Sequence, residues 1–291
     1  MSEPEAKKIS IKRLLHHPLT RIAVGIVICG VALLGTNSGL RFLFGSDSNL
    51  LRIVRWLLSA LVLLGTYIVL FRKYEGREIG ELSRGNLLKD SLIGLFSGAF
   101  SITLIIVVLY ILGYYEVLST ISVIYLLLPL VMFTTLSVFE ELVFRGIIYR
   151  IAEENLGTNL ALILSALLFG LAHLPNENAN AISVISAASG GILAGLLFSM
   201  TKRLWLPIFF HAGWNWAQGV LGVPVSGIDE MPGFVQSIIN GPELITGGAF
   251  GPENSVLTIV LVLVLSGVAY YLTWKRGNLI YKADKELGDA G

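Results

Sequence analysis

The sequence predicts an all-α, polytopic membrane protein, a bundle of about eight transmembrane helices that forms a single integral membrane domain over residues 1–291. Three observations carry this. Of the 291 residues, 54% are hydrophobic and only 14% charged, where soluble globular proteins carry roughly 25% charged residues. Mean hydropathy is +0.75. Apolar runs of about 20 residues, enough to cross a bilayer core of roughly 30 Å, recur along the chain between short charged stretches. A net charge of +1 supplies no global field for nucleic acid. The single cysteine, Cys29, lies in an apolar run, excludes an internal disulfide and reads as a packing residue.

Lys7, Lys8, Lys12 and Arg13 precede the first apolar run as they would in a signal peptide. The Gly35-Thr36-Asn37-Ser38 that follows is not a small-x-small cleavage site, so the run reads as a retained span. Residues 9–15 read as a short basic amphipathic helix on the inner surface or as a disordered tail. Candidate spans run over 19–40, 51–71, 90–112, 121–150, 158–175, 181–200, 204–223 and 255–274, which leaves both termini on one side. That side holds 18 of the 21 basic residues. The other keeps Arg41, Arg52 and Arg55 and collects Asp47, Glu116, Glu177, Asp229, Glu230, Glu243 and Glu253. By the positive-inside rule the termini are expected in the cytoplasm.

Two segments depart from a simple bundle. As one helix, 121–151 would be about 46 Å long at 1.5 Å per residue, so it must tilt, bend near Pro129 or break. The stretch 222–254 is rich in Gly and Pro around an apolar centre, Phe234 to Ile239, and reads as a surface loop or a re-entrant cap on the outer face. In the sixth span Ala187, Gly191, Gly195 and Ser199 recur every fourth residue, a smooth stripe for close helix packing.

Against this apolar background stand Glu140, Glu141 and Arg145. An ionisable residue within a span costs about 2.5–3.5 kcal/mol on insertion scales and is a functional hypothesis by default. Glu141 and Arg145 are i,i+4 and share a helical face, so they can pair. Glu140 is rotated about 100° away and is left to face a cavity. A charge network that only locks two helices would use the same residues. Two of the four histidines lie within spans, His173 and His211. Phe169 sits one turn before His173, and Asn215 one turn after His211. A carboxylate and a histidine can deprotonate a water, while a His/Asn pair can donate to a developing oxyanion. The parts therefore suit acyl hydrolysis. No Gly-x-Ser-x-Gly elbow is present. A zinc site of His173, His211 and Glu140 is the competing chemistry, without a His-Glu-x-x-His helix to support it. A proton relay through Glu140 and His173 would suit a transporter, but no repeat accompanies it. Depth is unreconciled: counted along the spans, His211 lies toward the cytoplasmic end and His173 toward the outer end.

Glu-Glu-x-x-x-Arg at 140–145, Phe-x-x-x-His at 169–173 and His-x-x-x-Asn at 211–215 together resemble the motif set of the CPBP family, the CAAX-processing and bacteriocin-processing intramembrane proteases that include the type II CAAX prenyl endopeptidases. The resemblance implies a metal-independent glutamic intramembrane protease with a core at about 121–223 and no cofactor. Glu140 and His173 would activate the water, and His211 and Asn215 would hold the oxyanion. Glu141 and Arg145 would order the site, and Phe169 would shape its wall. The implied substrate is a peptide or lipidated protein, entering a water-filled, cytoplasm-facing cavity within the lipid bilayer. A non-enzymatic bacteriocin-immunity or scaffold protein is the alternative. Short loops suggest a prokaryotic cell membrane.

Overall fold

The computed structural model describes residues 11–45, 48–228 and 233–281. The basic residues Lys7, Lys8, Lys282 and Lys285 and the acidic Asp47, Asp229 and Glu230 lie outside them. The short α1 (Ile11–Leu15) leads into α2 (Pro18–Phe44), α3 (Asn49–Tyr74) and α4 (Leu87–Ile111). A strand, β1 (Tyr115–Thr120), separates these from α5 (Ile124–Glu141). A π-helical segment, Leu142–Tyr149, joins α5 to α6 (Arg150–Leu156). Then come α7 (Thr158–Ala172), α8 (Ala181–Thr201), α9 (Trp205–Val220), β2 (Val235–Ile239), α10 (Glu243–Thr246) and α11 (Val256–Lys275).

Six of these helical stretches are long and apolar enough to cross a membrane: Pro18–Phe44, Asn49–Tyr74, Leu87–Ile111, Ile124–Leu156, Ala181–Thr201 and Val256–Lys275. The chain is an integral, multi-pass helical membrane protein. The count of eight spans is not reached on length. Helices α7 and α9 have 15 and 16 residues, which is roughly 22–24 Å at 1.5 Å per residue, short of the hydrocarbon core. His173 directly follows α7 and His211 lies within α9. Both rings stand close to that of Phe169, so the two histidines meet although counting along the spans set them at different depths.

The long fourth stretch does break, after Glu141 and not at Pro129, which stays inside α5. A π turn bonds i to i+5, is rare, and gathers at functional sites. Here side chains from other elements complete its carbonyls. Tyr67 and Arg150 both donate to the Gly146 carbonyl, at 2.9 and 2.8 Å, and Ser165 donates to that of Phe144 at 3.0 Å.

Close backbone approaches set the packing around α9. A Cβ on Gly213 would lie 2.1 Å from the Leu95 carbonyl oxygen, and one on Gly98 only 1.9 Å from that of Phe210. Glycine at both places is what lets α4 and α9 touch. The small-residue stripe of α8 does the same against α7: a Cβ on Gly191 would meet Ala166 Cα at 2.9 Å, and one on Gly195 the Leu162 side chain at 2.7 Å. Its packing role is as read from the sequence.

One element is not helical. The apolar centre of 222–254 is β2, paired antiparallel with β1 from Tyr115 opposite Ile239 to Thr120 opposite Val235. Read as a loop or cap, it closes a two-stranded ribbon at the end of the molecule away from the α8–α9 turn. Behind α3 lies a charge network: Glu75 pairs with Arg21, Arg77 and Arg150 at 2.8, 2.8 and 3.0 Å, and Glu81 with Arg77 at 2.6 Å. Burial works against ionisation of Glu75 and Glu81, but hydrogen bonds from Arg21 and Arg77, and Arg150 beside Glu75, hold both carboxyls below their ordinary range.

Candidate active site

The Glu141–Arg145 pair forms as the spacing predicts. Arg145 Nη1 donates to Glu141 Oε1 at 2.9 Å, with both side chains fully buried. Arg145 Nη2 reaches the Gly191 carbonyl at 3.1 Å, a contact available only because the glycine stripe brings α8 close. The guanidinium also lies 4.6 Å from the centre of the Phe169 ring, within cation–π range.

Phe169 is the hub of the cluster. Its ring centre is 4.6 Å from that of His173, 6.1 Å from that of His211 and 4.9 Å, edge-on, from that of Phe144. It therefore keeps residues from α7, α9 and the π segment at fixed spacing. His173 follows the last residue of α7, where its Nδ1 sits 2.8 Å from the Phe169 carbonyl. A carbonyl only accepts, so Nδ1 carries the proton and Nε2 keeps its lone pair. His211 Nδ1 stands 3.0 Å from Glu141 Oε1, and its Nε2 stands 3.8 Å from Glu140 Oε2. The second histidine is thus flanked by both carboxylates.

These groups surround a cavity of about 90 Å³ walled by Glu141, Arg145, Phe169, His173, His211 and Asn215, with small residues of α8 (Ser183, Ser186, Ala187, Gly190, Ala194) opposite. Glu140 is not in the wall. It sits beside His211, 28% exposed at the side chain, with Oε2 buried and without a hydrogen-bond partner among the described residues. Among those residues, no three His, Cys, Asp or Glu groups gather as a metal-binding set; Glu140, His173 and His211, weighed as a zinc trio, do not form one.

Other wall residues lie outside the three motifs. Ser226, Phe250 and Glu253 come from the segment after α9, and Trp214 from α9 itself. Trp214 was open to inference, being three residues from His211 on the same helical face. Glu253 was not, since nothing local ties it to the motifs. The cavity therefore lies under the segment that follows α9. The last described residues pack at the other ends of α7 and α8, where Arg276 donates to the Met200 carbonyl and Ile280 N–H to the Thr158 hydroxyl.

Residues 120–217 match the family described as Type II CAAX prenyl endopeptidase Rce1-like. The Rce1-like segment is about a third of the chain, and it contains all seven motif residues, as the resemblance read from the sequence implied. A curated relative, "Putative membrane peptidase YdiL" of Bacillus subtilis (strain 168), is 26% identical over 113 residues, which is 39% of this chain and 42% of that protein. The chain thus matches about two fifths of this relative's length. No solved structure matches the chain.

Proposed function

We propose that this protein is an intramembrane endopeptidase of the glutamic CAAX type, hydrolysing a peptide bond in a lipidated or hydrophobic peptide. The observation that carries the reading is the meeting of the three motifs, from α5 and its π segment, α7 and α9, around one cavity inside a membrane protein. The Rce1-like match over that segment supports it.

Glu140 and His173 activate the water: the carboxylate and the free Nε2 of His173 each offer a lone pair for its proton. Attack on the substrate carbonyl places negative charge on oxygen, where His211 Nε2–H and the Asn215 amide donate. Glu141 takes the His211 Nδ1–H, which turns the other ring nitrogen toward Glu140 and the reacting oxygen, while Arg145 balances the charge of Glu141. The collapsing intermediate returns the proton to the leaving amine. Both termini lie in the cytoplasm, and the membrane is that of a prokaryotic cell.

Proteomics of membranes from cells carrying Glu140→Gln tests this. Unprocessed precursors should accumulate, and the same precursors should appear with His173→Ala. Identical membrane peptides in wild type and variant would refute the peptidase.

A further inference from the structure

The face of α9 that carries His211 and Asn215 continues to Trp214 and Gln218, and both of these end on Glu253. Trp214 Nε1 and Gln218 Nε2 donate to Glu253 Oε1 at 2.9 and 2.8 Å, and the Ser226 N–H and hydroxyl donate to Oε2 at 2.9 and 2.7 Å. Every contact is donated to the carboxylate, the pattern of the ionised, acceptor-only group. All four donors are neutral, and no ion pair to Glu253 occurs among the described residues.

The wall of the cavity therefore holds two carboxylates, Glu141 and Glu253, and two cationic groups, the Arg145 guanidinium and the His211 ring that donates through both nitrogens in the proposed mechanism; both are already bonded to Glu141 and neither to Glu253. Glu140 adds a third carboxylate beside His211. A charge taken out of water without a counter-charge is costly, and a cleft of one sign with low-dielectric walls concentrates ions of the other. A second observation points the same way. Among the described residues, Asn215, a wall residue only 7% exposed, has an Oδ1 with no donor, and on the next turn Gln218, fully buried behind the wall, has an Oε1 with none. Acceptors without donors lie along the strip that ends on an uncompensated anion.

We propose that Glu253, with Asn215, forms a recognition site for a cationic group of the substrate, a Lys or Arg side chain or a free N-terminal ammonium. This rests on the peptidase reading for its register. The partners of Glu253 on α9 lie three and seven residues past His211, roughly 4.5 and 10.5 Å along the helix at 1.5 Å per residue. At about 3.3 Å per residue of extended peptide, the cation lies about one to three residues from the bond cleaved. Asn215 serves both ends, its amide N–H₂ toward the reacting oxygen and its Oδ1 toward the cation.

The test is binding of fluorescent apolar decapeptides, measured by anisotropy, to full-length Glu140→Gln protein in nanodiscs. The peptides are N-acetylated and carry Lys, norleucine or Glu at one central position; a fourth carries norleucine and a free N-terminus. The Lys peptide should bind at least tenfold tighter than the norleucine peptide, and the Glu peptide weaker than both. Adding Glu253→Gln should bring the Lys and norleucine peptides within twofold of each other. Tight binding of the fourth peptide assigns the cation to the N-terminus instead. Lys and norleucine peptides that bind alike to protein retaining Glu253, including not at all, overturn the proposal, and so does a Lys preference that survives Glu253→Gln. The comparison within the Glu253 protein decides even if the double variant misfolds, and a pure anchoring role for Glu253 would give no charge preference. Lys-selective binding without cleavage by the wild-type protein would refute the peptidase reading and leave this one standing. Cleavage without charge preference would do the reverse.

Discussion

Glu141 Oε1 takes both the Arg145 guanidinium and the His211 ring, at 2.9 and 3.0 Å. One carboxylate oxygen thus couples the first motif to the third. The residue expected to pair with an arginine and order the site also holds the ring of the histidine proposed to bind the oxyanion.

Glu141→Gln should therefore lower stability and activity together. Arg145 is fully buried, and removing one partner of a buried pair costs about 3–5 kcal/mol. Thermal unfolding in detergent should show a clear fall in midpoint, with peptide cleavage reduced as well. An unchanged midpoint would mean that the pair is not what holds the π segment to α8.

Phe169→Leu keeps an apolar side chain but removes the ring shared by Arg145, His173 and His211. The lost cation–π contact is worth about 1–2 kcal/mol when desolvated. The unfolding midpoint should drop modestly, while the rate of cleavage should fall by a larger factor because two histidines lose their spacing. Equal losses in both would reduce Phe169 to a packing residue.

The acid side of the stability profile should belong to Glu75 and Glu81. Burial disfavours their charge, yet the arginines around them hold both carboxyls below the ordinary range. A carboxyl whose folded pKa lies below its unfolded value of about 4.3 stabilises the fold above that pH, and the contribution disappears as pH falls through the folded value. The unfolding midpoint should be level from pH 7 to about 5 and fall below about 4. Glu75→Gln should lower the neutral plateau and flatten the acid slope; an acid slope unchanged in the variant contradicts the assignment.

Gly213→Leu should prevent stable assembly, because its Cβ would sit 2.1 Å from the Leu95 carbonyl oxygen. Gly267→Leu is the control: a Cβ on Gly267 meets nothing within 4 Å, and α11 should accept it. Size-exclusion profiles of the two variants in detergent check the difference. A monodisperse Gly213→Leu protein would show that α4 and α9 can separate at little cost.

Much of this architecture was legible in the residues. Helix periods and charge contrast marked the helices, and the i,i+4 spacing of Glu141 and Arg145 foretold a real pair. The Gly191 stripe was read as packing, and packs. The break after Glu141 was not legible in position, because a π turn depends on tertiary partners for its carbonyls, here Tyr67, Arg150 and Ser165. The ribbon was missed because β2 finds its partner in β1 more than a hundred residues earlier in the chain, with no turn signal to join them. Glu253 escaped for the same reason: its role comes from long-range contacts with Trp214, Gln218 and Ser226. The motifs named the catalytic candidates, whereas the wall that would choose a substrate is assembled only in three dimensions.

In the proposed mechanism Glu140 drives hydrolysis in concert with His173. Its most direct test is the rate at which purified wild-type and Glu140→Gln proteins, reconstituted in the same liposomes, cleave a precursor found by the membrane proteomics. With a general base removed, the rate should fall by about 10²–10⁴-fold while the unfolding midpoint stays that of the wild type. Cleavage by the variant at close to the wild-type rate would contradict the account.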